Sequence, residues 1–164
     1  MAVKKVNEIM LEAYREKRAV MCFECVNYEQ IAWSIQAAEE VNSPVILMLY
    51  YDMTFYTSAE LFVKIAETLA KAARIPVGIT YVYANTYELA MDAVSAGFPS
   101  ICYDPQGEDL ETKIAETKTI VQEAHQKGVD VVANPGEYGS VTVQDAVRFV
   151  RETGIDGMVA PVVY

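Results

Sequence analysis

The residues with chemistry to offer are few and scattered. Cys22 and Cys25 form a Cys-x-x-Cys pattern, a spacing shared by redox-active thiols and zinc-binding hairpins. Both fall in the run Ala19–Val26, which reads as a strand. Side chains alternate along a strand, so positions three apart face opposite sides and cannot easily share a metal or a disulfide. With Cys102 the count is odd, and no secretion signal precedes them, which points to reduced thiols in a core. The single histidine, His125, lies inside a helical pattern and reads as an ordinary helix residue. Lys64, Lys71, Lys113, Lys118 and Lys127 all fall on predicted helices, away from strand ends, so Schiff-base chemistry has little support. No GxGxxG follows the first strand, and no GxxxxGK followed by Ser or Thr occurs, so dinucleotide and P-loop readings lose their main signature. One apolar strand, Ile75–Tyr83, ends in Thr80, Tyr81, Val82 and Tyr83, with no carboxylate and no imidazole.

The elements that must position these groups follow from periodicity. Val6, Ile9, Met10, Ala13 and Tyr14 repeat at helical spacing, predicting an amphipathic helix over about 7–17. Strands are predicted at Ala19–Cys25, Val45–Tyr50, Ile75–Tyr83, Ser100–Tyr103, Val129–Ala133 and Gly157–Val163. Helices alternate with them at Tyr28–Val41, Ala59–Ala73, Tyr87–Ala96, Leu110–Lys127 and Thr142–Glu152. Asn27, Ser58 and Thr86 are placed to cap three helices, and Gly97 to end one. Nearly continuous apolar strands between amphipathic helices signal a parallel sheet covered by helices, in a single α/β domain over 1–164.

Composition bounds the rest. At 52% hydrophobic and 22% charged residues, the chain can bury a real core. A formal net charge of −10 disfavours nucleic-acid backbones and anionic membrane surfaces. No apolar run reaches the roughly 20 residues of a membrane span, and the charged N-terminus lacks a signal-peptide core. A cytoplasmic location is expected.

Several segments resemble the class II, zinc-dependent ketose-bisphosphate aldolases (the fructose- and tagatose-bisphosphate aldolases). Ala19–Glu29, AVMCFECVNYE, is similar to that family's opening strand, AVxAFNVxNxE. Ala37–Leu47, AAEEVNSPVIL, resembles the following helix end and second strand, and Met91–Ser100, MDAVSAGFPS, the segment after the third. Ala124–Gly128 and Phe149–Asp156 continue the likeness in the same order. The resemblance implies a TIM-type parallel (β/α) barrel with a leading helix closing its bottom, about six β/α units present and thus incomplete relative to eight.

The resemblance also implies where the site should be and what it has lost. The family's third strand ends in His-x-Asp-His, which supplies an acid/base carboxylate and a zinc ligand. Here it falls on Thr80, Tyr81, Val82 and Tyr83. The acidic Glu-x-Glu-x-Gly of its fifth strand falls on Val132, Ala133, Asn134, Pro135 and Gly136, and its later zinc histidines have no match before Tyr164. The expectation is therefore no retained zinc, no metal site and no cofactor. Glu24 replaces a family Asn and is expected to point into the barrel, where apolar surroundings would raise a carboxyl pKa, or else to reach the rim. With Asp104 and Tyr83 it is a catalytic candidate. A ligand pocket is expected from Glu24, Asn27, Asp52, Thr80, Tyr81, Tyr83, Asp104, Asn134 and Tyr164. Tyr50, Tyr51, Tyr56, Tyr81, Tyr83, Tyr87, Tyr103, Tyr138 and Tyr164 are expected at one rim, either binding a partner or filling a former cavity.

Three functional readings follow. One is a non-catalytic aldolase-like binding, regulatory or assembly protein. Another is a divergent enzyme, a lyase or other small-carbonyl catalyst, using Glu24, Asp104 and Tyr83. The third is one piece of a split aldolase completed by a partner chain. Six units leave two strand edges open, so a homo-oligomer or a partner protein completing the barrel is expected, and a small molecule is the ligand the pocket would take.

Overall fold

The computed structural model describes residues 3–136 and 141–160. Six parallel strands form one sheet in sequential order. They are β1 (Met21–Glu24), β2 (Val45–Tyr50), β3 (Val77–Ala84), β4 (Ser100–Tyr103), β5 (Asp130–Ala133) and β6 (Gly157–Met158). A helix precedes β1 and one lies in each crossover: α1 (Val6–Arg15), α2 (Tyr28–Glu40), α3 (Ala59–Ala72), α4 (Tyr87–Ala96), α5 (Leu110–Gln126) and α6 (Val143–Thr153). This is the expected TIM-barrel-like α/β arc, six units long and open between β6 and β1. Among the described residues no helix is long and apolar enough to cross a membrane.

The crossover helices start where their capping residues dictate. Asn27, Ser58, Thr86, Asp109 and Thr142 each accept a backbone N–H from the first turn. Thr142 and Asp145 complete a reciprocal capping box. Gly97 and Gly154 end α4 and α6 in the left-handed region that a glycine enters without a Cβ clash.

The strand pleat divides the core into two. Val45, Leu47, Leu49, Val77, Ile79, Ile101 and Val131 face the helices and are buried there with Phe62, Phe98, Ile120 and Phe149. The alternate residues face the concave interior. At its bottom α1 lies across the sheet, with Val6 and Ile9 packed on Ile46. Gly78 permits the approach, because a Cβ there would sit 3.1 Å from both Val6 and Ile9 side chains. Lys4 N–H donates to the Val77 carbonyl (3.0 Å), and Lys5 Nζ reaches the buried Asp130 carboxylate (2.6 Å). The leading helix thus closes the bottom of the arc, as expected. It leaves the opposite end, where the strands terminate, open.

Predicted element boundaries agree within about two residues except at the end of the last strand. The first strand is short and exposed along its length, because β1 is an edge strand with no neighbour on one side. The described β6 has two ladder residues, Gly157 and Met158, and residues 161–163 of the expected last strand lie outside the described residues.

Candidate functional site

The strand ends converge on a mouth built mainly by β2, β3, β4 and β5. Alternation along β2 puts Ile46, Met48 and Tyr50 on the concave side. Tyr50 ends that row. Its ring packs against Tyr51 (centroids 5.0 Å) and Tyr83 (5.3 Å). Tyr83 gets there by an irregularity. The register between β3 and β4 shifts between Tyr81 and Ala84, so β3 carries one extra residue. Tyr83 adopts φ 59° at that bulge, a left-handed conformation that is uncommon for a bulky residue. The bulge turns its ring from the pleat into the concave space beside Thr80, Val82 and Cys102.

Next to the tyrosines stands a polar pair. Asp104 follows β4 and Asn134 follows β5, and Asn134 Nδ2 donates to Asp104 Oδ1 at 3.1 Å. Gln106 Nε2 donates to the other carboxylate oxygen (3.3 Å) and to the Asp104 carbonyl (2.9 Å). Asn134 Oδ1 in turn accepts the Gly136 N–H at 3.2 Å. The pair is half-buried and satisfied from both sides.

Electrostatically this mouth is acidic and apolar together. Burial pushes the Tyr83 phenol pKa up, with Cys102 and Asp104 adding to it. Tyr50 is raised too, by burial first and then by Tyr51, Asp52, Tyr83 and Asp104. On the concave wall below, desolvation lifts Cys22 and Cys102 to about 11. These thiols stay protonated at neutral pH. The space they face is a groove of about 540 Å³ with almost entirely apolar walls.

The structure distributes the expected site residues unevenly. Thr80, Tyr83, Asp104 and Asn134 come together at or just below the mouth. Asp52 is exposed in the single 3-10 turn Tyr51–Met53 after β2. Asn27 is spent as the cap of α2, accepting Gln30 N–H at 2.9 Å. Glu24 pairs with Met48 and so shares the concave face of the sheet, but at the end of edge strand β1 it is exposed rather than enclosed by apolar side chains. Tyr81 lies on the other side of the sheet. It is buried against Phe98 (5.3 Å, edge-on), and desolvation raises its phenol to about 12. Tyr164 lies outside the described residues.

The expected rim of tyrosines reduces to Tyr50, Tyr51 and Tyr83. Tyr103 is buried on the helix side and raised to about 12 by desolvation. Tyr87 opens α4 and donates to the Glu123 carboxylate on the outer surface. Tyr56 packs its ring at a tilt against Phe55 in an exposed loop, and Tyr138 lies outside the described residues. Three mouth residues lie outside the expected pocket: Tyr50 and Tyr51, which were expected at the rim, and Gln106. For Tyr50 the signal was available in the alternation from Ile46; for Gln106 there was none.

Cys25 and Cys102 are buried as expected of core thiols, but Cys22 is exposed on edge strand β1. Cys22 faces the groove, while Cys25 is buried near Ser34. His125 is on the exposed side of α5, with Nε2 2.8 Å from Asp156 Oδ2. Among the described residues no three His, Cys, Asp or Glu side chains are grouped to hold a metal.

Residues 4–162 match the model of the class II fructose-bisphosphate aldolase family. The chain belongs to that family. It is 36% identical to the fructose-bisphosphate aldolase of Thermus caldophilus over 91% of this chain and 53% of that one. Identity to the Helicobacter pylori (strain 26695) fructose-bisphosphate aldolase is 30%, over 93% of this chain and 54% of the other. The fold superposes on the crystal structure of the YdjI aldolase of Escherichia coli K12 with a TM-score of 0.86 at 29% identity, covering 96% of this chain and 63% of that one. This aldolase-family chain spans about half the length of the curated relatives it matches.

Proposed function

We propose that this aldolase-family chain is a binding or assembly protein that does not cleave ketose bisphosphates. The observation that carries the reading is the end of β3. The resemblance assigns a proton-transfer carboxylate and a zinc-binding imidazole there, and the chain has Val82 and a bulged Tyr83 instead. Valine transfers no proton, and a phenol raised by burial does not supply the anionic oxygen a zinc ion needs.

The remaining donors do not fit a zinc ion either. Cys22 and Cys102 are held protonated by desolvation, stand on β1 and β4 with β2 and β3 between them, and have no third His, Cys, Asp or Glu grouped with them among the described residues. His125 points away from the mouth and is engaged by Asp156. Asp104 is already occupied by Asn134 and Gln106. A net charge of −10, with Asp52 and Asp104 at the mouth, also opposes a doubly phosphorylated sugar.

The test is direct. The purified chain is incubated with fructose 1,6-bisphosphate and with tagatose 1,6-bisphosphate, with and without added zinc. Triose phosphate release is followed by a coupled assay, and bound metal by mass spectrometry. Release at the no-protein background with substoichiometric zinc is expected. Stoichiometric zinc with chelator-sensitive cleavage would overturn the reading.

A second reading, chemistry at the mouth on a small carbonyl compound, is favoured by one observation. Asp104 contributes to the raised pKa of Tyr83, so the two groups share one electrostatic site. A metabolite screen by thermal shift separates the readings. A stabilising carbonyl compound whose effect disappears in Asp104→Asn supports the second.

A further inference from the structure

The mouth at the strand ends joins two features of separate origin. One is aromatic. Tyr50 packs on Tyr51 (centroids 5.0 Å, planes 27° apart) and on Tyr83 (5.3 Å, 45°), and Tyr83 keeps 37% of its surface exposed. A tyrosine ring presents an electron-rich face that attracts a cation within about 6 Å of its centre. The other feature is charge. Asp52 follows β2 and Asp104 follows β4, and both act on the Tyr50 phenol, so both lie close to it. Every titratable neighbour acting on the Tyr50 and Tyr83 phenols is an acid, a thiol or another phenol. Among the described residues neither Asp52 nor Asp104 enters an ion pair. Lys113 reaches the turn after β5 but donates to the Pro135 carbonyl (3.2 Å), and Arg18, which follows α1 at the floor, is paired with Glu16.

This arrangement selects among ligands. An anion meets uncompensated carboxylates and is repelled. A metal ion lacks a ligand set, because no three His, Cys, Asp or Glu side chains are grouped among the described residues. Both oxygens of Asp104 already accept amide hydrogens, from Asn134 and Gln106, so the group offers charge more than free lone pairs. A neutral compound gains nothing from that charge. A cation with an apolar shell gains from the rings and from the carboxylates and needs no hydrogen bond. Val82 and Cys102, just below the rings, give its substituent an apolar wall.

We propose that the mouth binds a small quaternary ammonium cation, its head against the rings of Tyr50 and Tyr83 and beside Asp104, its substituent directed toward Val82 and Cys102. All of these groups stand on β2, β3 and β4 or in the turns after them. The proposal rests on the binding half of the function proposed above and names the ligand class. The two fail separately: a chain that leaves ketose bisphosphates intact could still ignore such a cation, and the cleavage assay does not involve one.

The experiment titrates the 164-residue chain by calorimetry with choline and with neohexyl alcohol, which has carbon in place of the nitrogen, at one fixed ionic strength. Choline should bind at least about tenfold more tightly than the alcohol. Asp104→Asn keeps an oxygen for the Asn134 amide and removes the charge, and should weaken choline about fivefold. Tyr50→Leu keeps apolar bulk and removes the ring, and should weaken it to a similar extent. Tyr50→Phe keeps the ring face and should bind choline as the parent chain does, which separates loss of the ring from loss of the fold; melting curves of all three variants accompany the titrations. The proposal is overturned by no saturable choline binding below about 10 mM, by the alcohol binding as tightly as choline, or by a choline affinity unchanged in Asp104→Asn.

Discussion

Asn134 Nδ2 donates to Asp104 Oδ1 at 3.1 Å and thereby joins the ends of β4 and β5 across the mouth. The bond is one of two that hold this carboxylate, the other coming from Gln106. Removing the amide leaves a half-buried carboxylate with one donor fewer. Asn134→Ala should cost about 1–2 kcal/mol in urea unfolding. Asn134→Asp should cost more at pH 7 than at pH 4, because two adjacent carboxylates repel when both are ionised. Equal losses at the two pH values would show that the pair is not the contact that matters.

The bottom of the arc depends on a second long-range pair. Lys5 Nζ lies 2.6 Å from Asp130, whose side chain is 7% exposed while the lysine is 45% exposed. The hydrogen bond to Asp130 holds the Lys5 pKa above its ordinary value, outweighing desolvation. Lys5→Ala strands the buried carboxylate. Breaking a fully buried pair costs about 3–5 kcal/mol, and the solvated lysine end reduces this to about 1–2 kcal/mol. Lys5→Met, which keeps the stem but not the charge, should lose nearly as much. A melting curve unchanged in both variants would rule out the pair as an anchor of α1.

Gly78 gives a sharper test of the same closure. A methyl group there would meet Val6 and Ile9 at 3.1 Å, and Ile46 at 3.3 Å. Gly78→Val should therefore destabilise the fold by about 1–3 kcal/mol through overpacking. It should also loosen α1, read as faster amide exchange over residues 6–15 than in the rest of the sheet. If exchange rises uniformly, α1 is not a separate closing element.

The thiols supply the pH dependence. Desolvation raises both Cys22 and Cys102 to about 11 from an ordinary 9.0. The folded state favours the neutral thiol. Stability from the buried Cys102 is thus fully present below about 9 and is lost as pH rises through about 11. Native thiol labelling at pH 8 should be slow, rise roughly tenfold per pH unit toward 11, and modify Cys22 first, since Cys25 and Cys102 are buried. Rapid labelling of Cys22 at pH 7 would contradict the apolar environment assigned to the groove.

Much of this architecture is legible in the sequence for simple reasons. Val45–Tyr50 is apolar throughout because both faces of a central parallel strand are covered. Asn27, Ser58 and Thr86 announce helix starts because few other side chains satisfy the first-turn N–H groups. The mouth was less legible. Tyr81 and Tyr103 share a face with Ile79 and Ile101, so alternation sends them to the helix side, away from the rim that family likeness suggested. Glu24 is exposed because β1 is an edge, a property of topology that no local pattern carries. The bulge at Tyr83 leaves no trace in residue type, since a left-handed tyrosine is held by its surroundings and not by its own preference.

That bulge makes the last prediction. Tyr83 pays for its position with backbone strain of about 1–2 kcal/mol relative to a residue at ease in the left-handed region, and recovers part through ring contact with Tyr50, about 0.5–1.5 kcal/mol. Tyr83→Asn removes the ring but places a residue that tolerates φ 59°. Tyr50→Ala removes the same ring contact, and the one to Tyr51, with no relief of the backbone. Tyr83→Asn should therefore be less destabilising than Tyr50→Ala by about 1 kcal/mol, measured by urea unfolding at pH 7. If Tyr83→Asn proves the more costly of the two, the ring of Tyr83 holds the mouth together more strongly than its contacts to Tyr50 account for, and the strain assigned to the bulge is not there.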